Sequence, residues 1–112
     1  TAILSNGSPD MLDGAVDFSG TRESLDKVLS VDAVKVFKPA SAVYDMVETA
    51  LGATPDKVLF VSANGWDAAG AAAYGFHTAW INRASDPTDK LPAKPAHILP
   101  DLTAIPDLAS TL

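Results

Sequence analysis

The chain has 112 residues, no cysteine, 47% hydrophobic and 20% charged residues, and a formal net charge of −6. That length and composition suit one soluble globular domain, and the acidic balance argues against nucleic acid or an anionic membrane as a partner. Without cysteine there is no disulfide, thiolate metal site or thiol nucleophile, which suits the cytoplasm, and neither a signal peptide nor a membrane-spanning stretch is expected.

Thr1-Ala2-Ile3-Leu4 reads as a strand from the outset, so a piece of a longer protein is expected. The strand covers residues 2–5. Ser8-Pro9 then starts a helix, with Ser as N-cap and Pro in the first turn. Met11, Leu12, Ala15 and Val16 fall at helical spacing, and Gly20 ends the helix. Residues 27–31 form the next strand. Val43, Met46, Val47, Ala50 and Leu51 make an amphipathic stripe closed by Gly52. Residues 57–62 are a continuous apolar strand, as expected where both faces are covered. A helix over residues 67–74 ends at Gly75, and its alanines allow close approach to a sheet. Residues 77–82 form another strand, with Trp80 as core or interface packing. A Pro-rich surface loop spans 84–96, residues 96–99 form a last edge strand, and Ile105-Pro106 opens a short helix. The acids of the first two helices, Asp10, Asp13, Asp17 and Glu48, read as solvated faces.

Strands alternating with helices predict an α/β fold, a Rossmann-like three-layer αβα sandwich around a mainly parallel sheet. In such sheets ligands bind beyond the carboxyl ends of the strands. Three polar clusters fall there. Ser5-Asn6-Gly7 follows the first strand and leads into the Ser8-Pro9 helix start. Taken alone it is an ordinary turn; as a site, its N–H groups, the Ser5 hydroxyl and the Asn6 amide suit a carboxylate or phosphate. Lys38-Pro39 precedes the second helix. Lys38 is either an exposed loop lysine or a cation that neutralises and aligns a nucleophilic carboxylate. Tyr44, in the first turns of that helix, is by residue type a packing residue. Ser62, Asn64 and Asp67 follow the third strand. Asp67 serves as a helix cap, or as a base for water and an orienting partner for Lys38. Trp66 adds an apolar wall. The joint order of the clusters predicts convergence at one sheet edge. His77 and His97 stand away from any second ligand type at metal spacing and read as structural or exposed.

The segments LSNGSPDML, LSVDAVKVFKP and LFVSANGWDAAGAAAYGF resemble the L-2-haloacid dehalogenases of the haloacid dehalogenase superfamily, over residues 1 to about 83. The resemblance implies a Rossmann-like core with a helical cap. It implies hydrolysis of short 2-haloalkanoic acids to 2-hydroxy acids through an aspartyl ester. It assigns Ser5 and the Asn6 backbone to the substrate carboxylate, the Asn6 side chain and Trp66 to the halide, and Lys38 to the nucleophilic aspartate. Ser62, Asn64 and Asp67 serve the lysine and the ester-cleaving water, and Tyr44 has a supporting place. No metal or other cofactor is implied. The family's Asp-bearing N-terminal motif and its cap are absent, so the chain is expected to be the C-terminal part of such a core domain. The missing N-terminal half is then its partner, the strand that bears the nucleophile is missing from the sheet, and the piece alone is inactive. Family members are commonly dimers, which points to a homodimer, although the residues leave the oligomeric state open.

Three rival readings are weaker. A Mg²⁺-dependent phosphatase of the same superfamily carries acidic ligands in its third motif, where this chain has Ser62-Ala63 and only Asp67 remains; one carboxylate holds a hard cation poorly. A phospho-signalling receiver domain places its acidic pair first and Lys-Pro last, the reverse of the order here. A non-catalytic Rossmann-like interaction module accounts for the missing nucleophile but not for the intact polar clusters.

Overall fold

Among the described residues, short apolar runs bounded by turn formers produce five strands: β1 (Ala2–Ser5), β2 (Lys27–Ser30), β3 (Leu59–Ser62), β4 (His77–Ile81) and β5 (His97–Leu99). The helices are α1 (Pro9–Ser19), α2 (Ser41–Leu51), α3 (Gly65–Tyr74) and a short α4 (Ile105–Ala109). The structure is a computed structural model and describes residues 1–88 and 90–112. Residue 89, inside the expected surface loop, lies outside the described residues; the described loop residues around it are largely exposed. No helix among the described residues is long and apolar enough to cross a membrane.

The strand–helix alternation is present, and every strand pairing is parallel. The chain divides into two compact units, Thr1–Gly52 and Ala53–Leu112. In the first, β1 pairs with β2 in a register that sets Ser5 opposite Ser30. The Ser8 hydroxyl accepts from the Met11 N–H, which satisfies one of the unpaired donors of the first turn of α1. Gly20 and Gly52 end α1 and α2 at φ of 69° and 65°, left-handed values that cost a residue with a Cβ. Leu12 and Val16 of α1 are buried, as are Val43, Tyr44 and Val47 of α2. The buried face of α2 is rotated from the stripe read in the sequence: Tyr44 lies inside it, and Leu51 is 39% exposed.

In the second unit β4 is central, flanked by β3 and β5, and sets Trp80 opposite Ser62. Thr78, Ala79, Trp80 and Ile81 are all buried, as expected of a strand covered on both faces. Trp80 is thus core. Thr78 is the polar member, and its hydroxyl accepts from the Ala96 N–H at 3.0 Å, anchoring the approach to β5. Helix α3 packs on β3 and β4 through Ala68, Ala69 and Ala71. Phe76 stacks on Phe60, with ring centres 5.7 Å apart and planes 2° from parallel.

Several element ends differ from expectation, each for a local reason. β2 stops at Ser30 because the Ser30 hydroxyl accepts from the Asp32 N–H and starts a 3₁₀ turn over Val31–Ala33. β3 starts at Leu59, since Pro55–Lys57 forms a 3₁₀ turn opened by the proline. β4 stops at Ile81, where the Asn82 amide clasps the Asp86 main chain with two bonds of 2.9 Å. α3 starts at Gly65, two residues early, because the Asn64 carbonyl accepts from both Asp67 and Ala68.

Candidate active site

β1, β2 and β3 all end in serine, and each serine does the same thing first. Its oxygen accepts the main-chain N–H two residues on: Gly7 at 2.9 Å for Ser5, Asp32 at 3.1 Å for Ser30, Asn64 at 3.1 Å for Ser62. This turns the chain sharply out of the strand. A hydroxyl still has one proton to donate. Ser62 donates it to the Asp67 carboxylate at 3.0 Å, and Ser30 donates it to the Gly7 carbonyl at 2.7 Å. Among the described residues, Ser5, at the tip of β1, has its oxygen engaged in the turn only.

The loop before α2 comes back to β1. The Lys38 N–H donates to the Asn6 Oδ1 at 2.8 Å, and the Lys38 Nζ donates to the Leu4 carbonyl at 3.2 Å. Lys38 is therefore half-buried at the end of β1 and is not an exposed loop lysine. The peptide that follows it, Lys38–Pro39, is cis. Because Asn6 spends its carbonyl oxygen on Lys38, its NH₂ is the side available to a ligand, and that is an anion-binding donor. Ser5, Asn6 and Lys38 thus form one cluster in the first unit. Tyr44 is 1% exposed within α2, the packing position that its residue type suggests.

In the second unit, Asp67 is 2% exposed and is the third residue of α3. A carboxylate there is favoured by the N–H groups of the first turn. Ser62 bridges it to the Asn64 N–H, so Ser62, Asn64 and Asp67 form a second cluster. The Asn64 side chain caps nothing and is exposed. Trp66, at 40% exposure, stands on the surface of the same turn.

Two residues that the sequence did not place at the site hold these turns. The Trp80 Nε1–H donates to the Ala63 carbonyl at 3.3 Å, and Ser30 holds the Gly7 carbonyl. Each comes from the strand position opposite the serine of the turn it holds. Only the strand register could have revealed them. Trp80→Phe is expected to lower stability by about 1–2 kcal/mol, from the lost bond and the smaller ring. Urea unfolding followed by circular dichroism would measure it, and an unchanged midpoint would contradict the pinning.

A family model for haloacid dehalogenase-like hydrolases matches residues 1–75. The (S)-2-haloacid dehalogenase of Pseudomonas sp. (strain YL) is 44% identical over 110 residues, covering 98% of this chain and 47% of the relative. Among solved structures, the L-2-haloacid dehalogenase RSc1362 superposes with a TM-score of 0.93 at 44% identity, covering 97% of this chain and 48% of that one. The L-2-haloacid dehalogenase from Xanthobacter autotrophicus, with chloropropionic acid covalently bound, also gives 0.93, at 37% identity, covering 99% of this chain and 55% of that one. The chain spans about half the length of the curated relatives it matches. With its parallel α/β elements and its family match across both clusters, the chain belongs to the haloacid dehalogenase-like hydrolases.

Proposed function

We propose that this chain is the C-terminal half of the core domain of an L-2-haloacid dehalogenase. The observation that carries this reading is Lys38, tied by main chain and side chain to Asn6 and Leu4. It gathers a cation and an anion-binding turn at one strand end, as a carboxylate substrate and an ionised nucleophile both require. The relatives' names supply the reaction class.

In the reaction, an aspartate outside this chain attacks carbon 2 of the haloacid. The carbon–halogen bond breaks and the halide leaves with the electron pair. The Ser5 hydroxyl, whose proton the turn does not use, and the Asn6 N–H hold the substrate carboxylate. The Asn6 NH₂ and the Trp66 face receive the halide. Lys38 keeps the nucleophile ionised. Water then attacks the ester carbonyl and gives its proton to Asp67, which is oriented by Ser62, and the 2-hydroxy acid is released. Asn64 helps to hold that water, and Tyr44 supports the wall from within α2. No residue here calls for a metal: the third strand end offers one carboxylate, already engaged by Ser62. The cysteine-free composition suits a cytoplasmic enzyme, and a homodimer is the assembly we expect.

The test is halide release by the full-length protein from each enantiomer of 2-chloropropionate, with a chelator present. Release from the L enantiomer alone, at an unchanged rate, supports the reading. Release from neither overturns it and directs the search to phosphate esters with Mg²⁺. Residues 1–112 by themselves should release no halide, since the nucleophile lies outside them.

A further inference from the structure

We infer that Ser30 is a positioning residue for the carboxylate-binding turn, acting through Gly7 without touching substrate; this rests on the dehalogenase reading above. Ser30 ends β2, directly opposite Ser5 in the strand register. Its single hydroxyl works in two directions. The oxygen accepts from the Asp32 N–H at 3.1 Å, which fixes the start of the Val31–Ala33 turn. The proton goes to the Gly7 carbonyl at 2.7 Å, a bond that closes a separation of 23 residues.

That second bond fixes the last peptide of the Ser5-Asn6-Gly7 turn. The peptide before it, Asn6–Gly7, is already held, because the Gly7 N–H donates to Ser5 Oγ. Gly7 is therefore clamped at both its N–H and its C=O, and Ser5 and Asn6 lie immediately before the clamp. The room there is small. A Cβ on Gly7 would stand 3.3 Å from Ser5 Oγ and 3.5 Å from a Leu12 methyl. Releasing the Gly7 carbonyl frees the Gly7–Ser8 peptide plane to rotate and loosens Gly7, whose N–H holds the Ser5 oxygen. The binding of the substrate carboxylate then weakens, and the covalent chemistry at carbon 2, performed by other groups, does not.

The test uses Ser30→Ala, with Ser30→Thr and Ser30→Val as a pair of equal shape that differ in the hydroxyl. In the full-length enzyme, Ser30→Ala and Ser30→Val should raise KM for L-2-chloropropionate by about three- to tenfold, the worth of one hydrogen bond. Their kcat should stay within about twofold, and Ser30→Thr should restore KM. A purely structural serine would lower thermal stability with KM unchanged, and that result overturns the inference. Amide exchange gives a readout independent of activity. The Ser5–Ser8 segment should exchange faster in Ser30→Val than in Ser30→Thr; equal rates overturn the clamp. If the unaltered enzyme releases no halide at all, the dehalogenase reading fails and the substrate half of this inference fails with it, whatever the exchange shows about the clamp.

Discussion

Asp67→Asn should lower kcat for haloacid turnover by at least about a hundredfold, the usual size of a lost general base. The asparagine has the same shape and its Oδ1 still accepts from Ser62, but it takes no proton from water. The loss should fall on one half of the reaction. In the proposed mechanism, carbon–halogen cleavage relies on the nucleophile and Lys38, and ester cleavage on Asp67. The Asp67→Asn enzyme should therefore release about one equivalent of halide per active site and then stall. Mass spectrometry of the stalled protein should show the acid still attached. Stability should fall by about 1–2 kcal/mol, because the charge lost from the first turn of α3 is buried. Steady turnover at the unaltered rate would remove Asp67 from the mechanism; failure of the first halide release would move it to the nucleophile's side of the reaction.

Phe76→Ala should strongly destabilise the second unit, by about 3–5 kcal/mol. Phe76 is 6% exposed and sits between the end of α3 and the start of β4. Its ring stacks on Phe60 and meets Tyr74 at 4.8 Å, tilted by 48°. Removing it opens a cavity and loses the contacts with Phe60 and Tyr74 together. A loss of that size is a large share of what holds an ordinary domain folded. Phe76→Leu, which keeps most of the volume, should cost less than about 1.5 kcal/mol. Urea midpoints for the two variants would separate them, and equal midpoints would mean that ring stacking and volume at this position count for little.

Much of the fold was legible because its punctuation is local. Gly20, Gly52 and Gly75 end the three long helices as read, and Ser8-Pro9 begins the first. The element ends that moved did so through bonds that hydropathy does not encode, such as Ser30 to Asp32 and Asn82 to Asp86. The candidate residues were legible by their place at strand ends. Their partners were not. Lys38 reaches Leu4 across 34 residues, and Trp80 reaches Ala63 across 17, so nothing in either local segment announces the bond. The division into Thr1–Gly52 and Ala53–Leu112 was likewise absent from the periodicity, which reads as one uninterrupted alternation.

The alanines of α3 have a consequence for how the protein tolerates change. Ala68 and Ala71 are completely buried, so the helix rests on β3 and β4 at the separation of a methyl group. There is no slack in that fit; a larger side chain lifts the helix as a rigid rod. Asp67 is bonded into the chain directly before Ala68 and travels with it. Conservative-looking substitutions such as Ala68→Val would therefore shift the Asp67 carboxylate, the base of the proposed mechanism, while touching no ligand. Sequence drift along the inner face of α3 should register as lost turnover before it registers as unfolding, the more so the closer the change lies to the helix start.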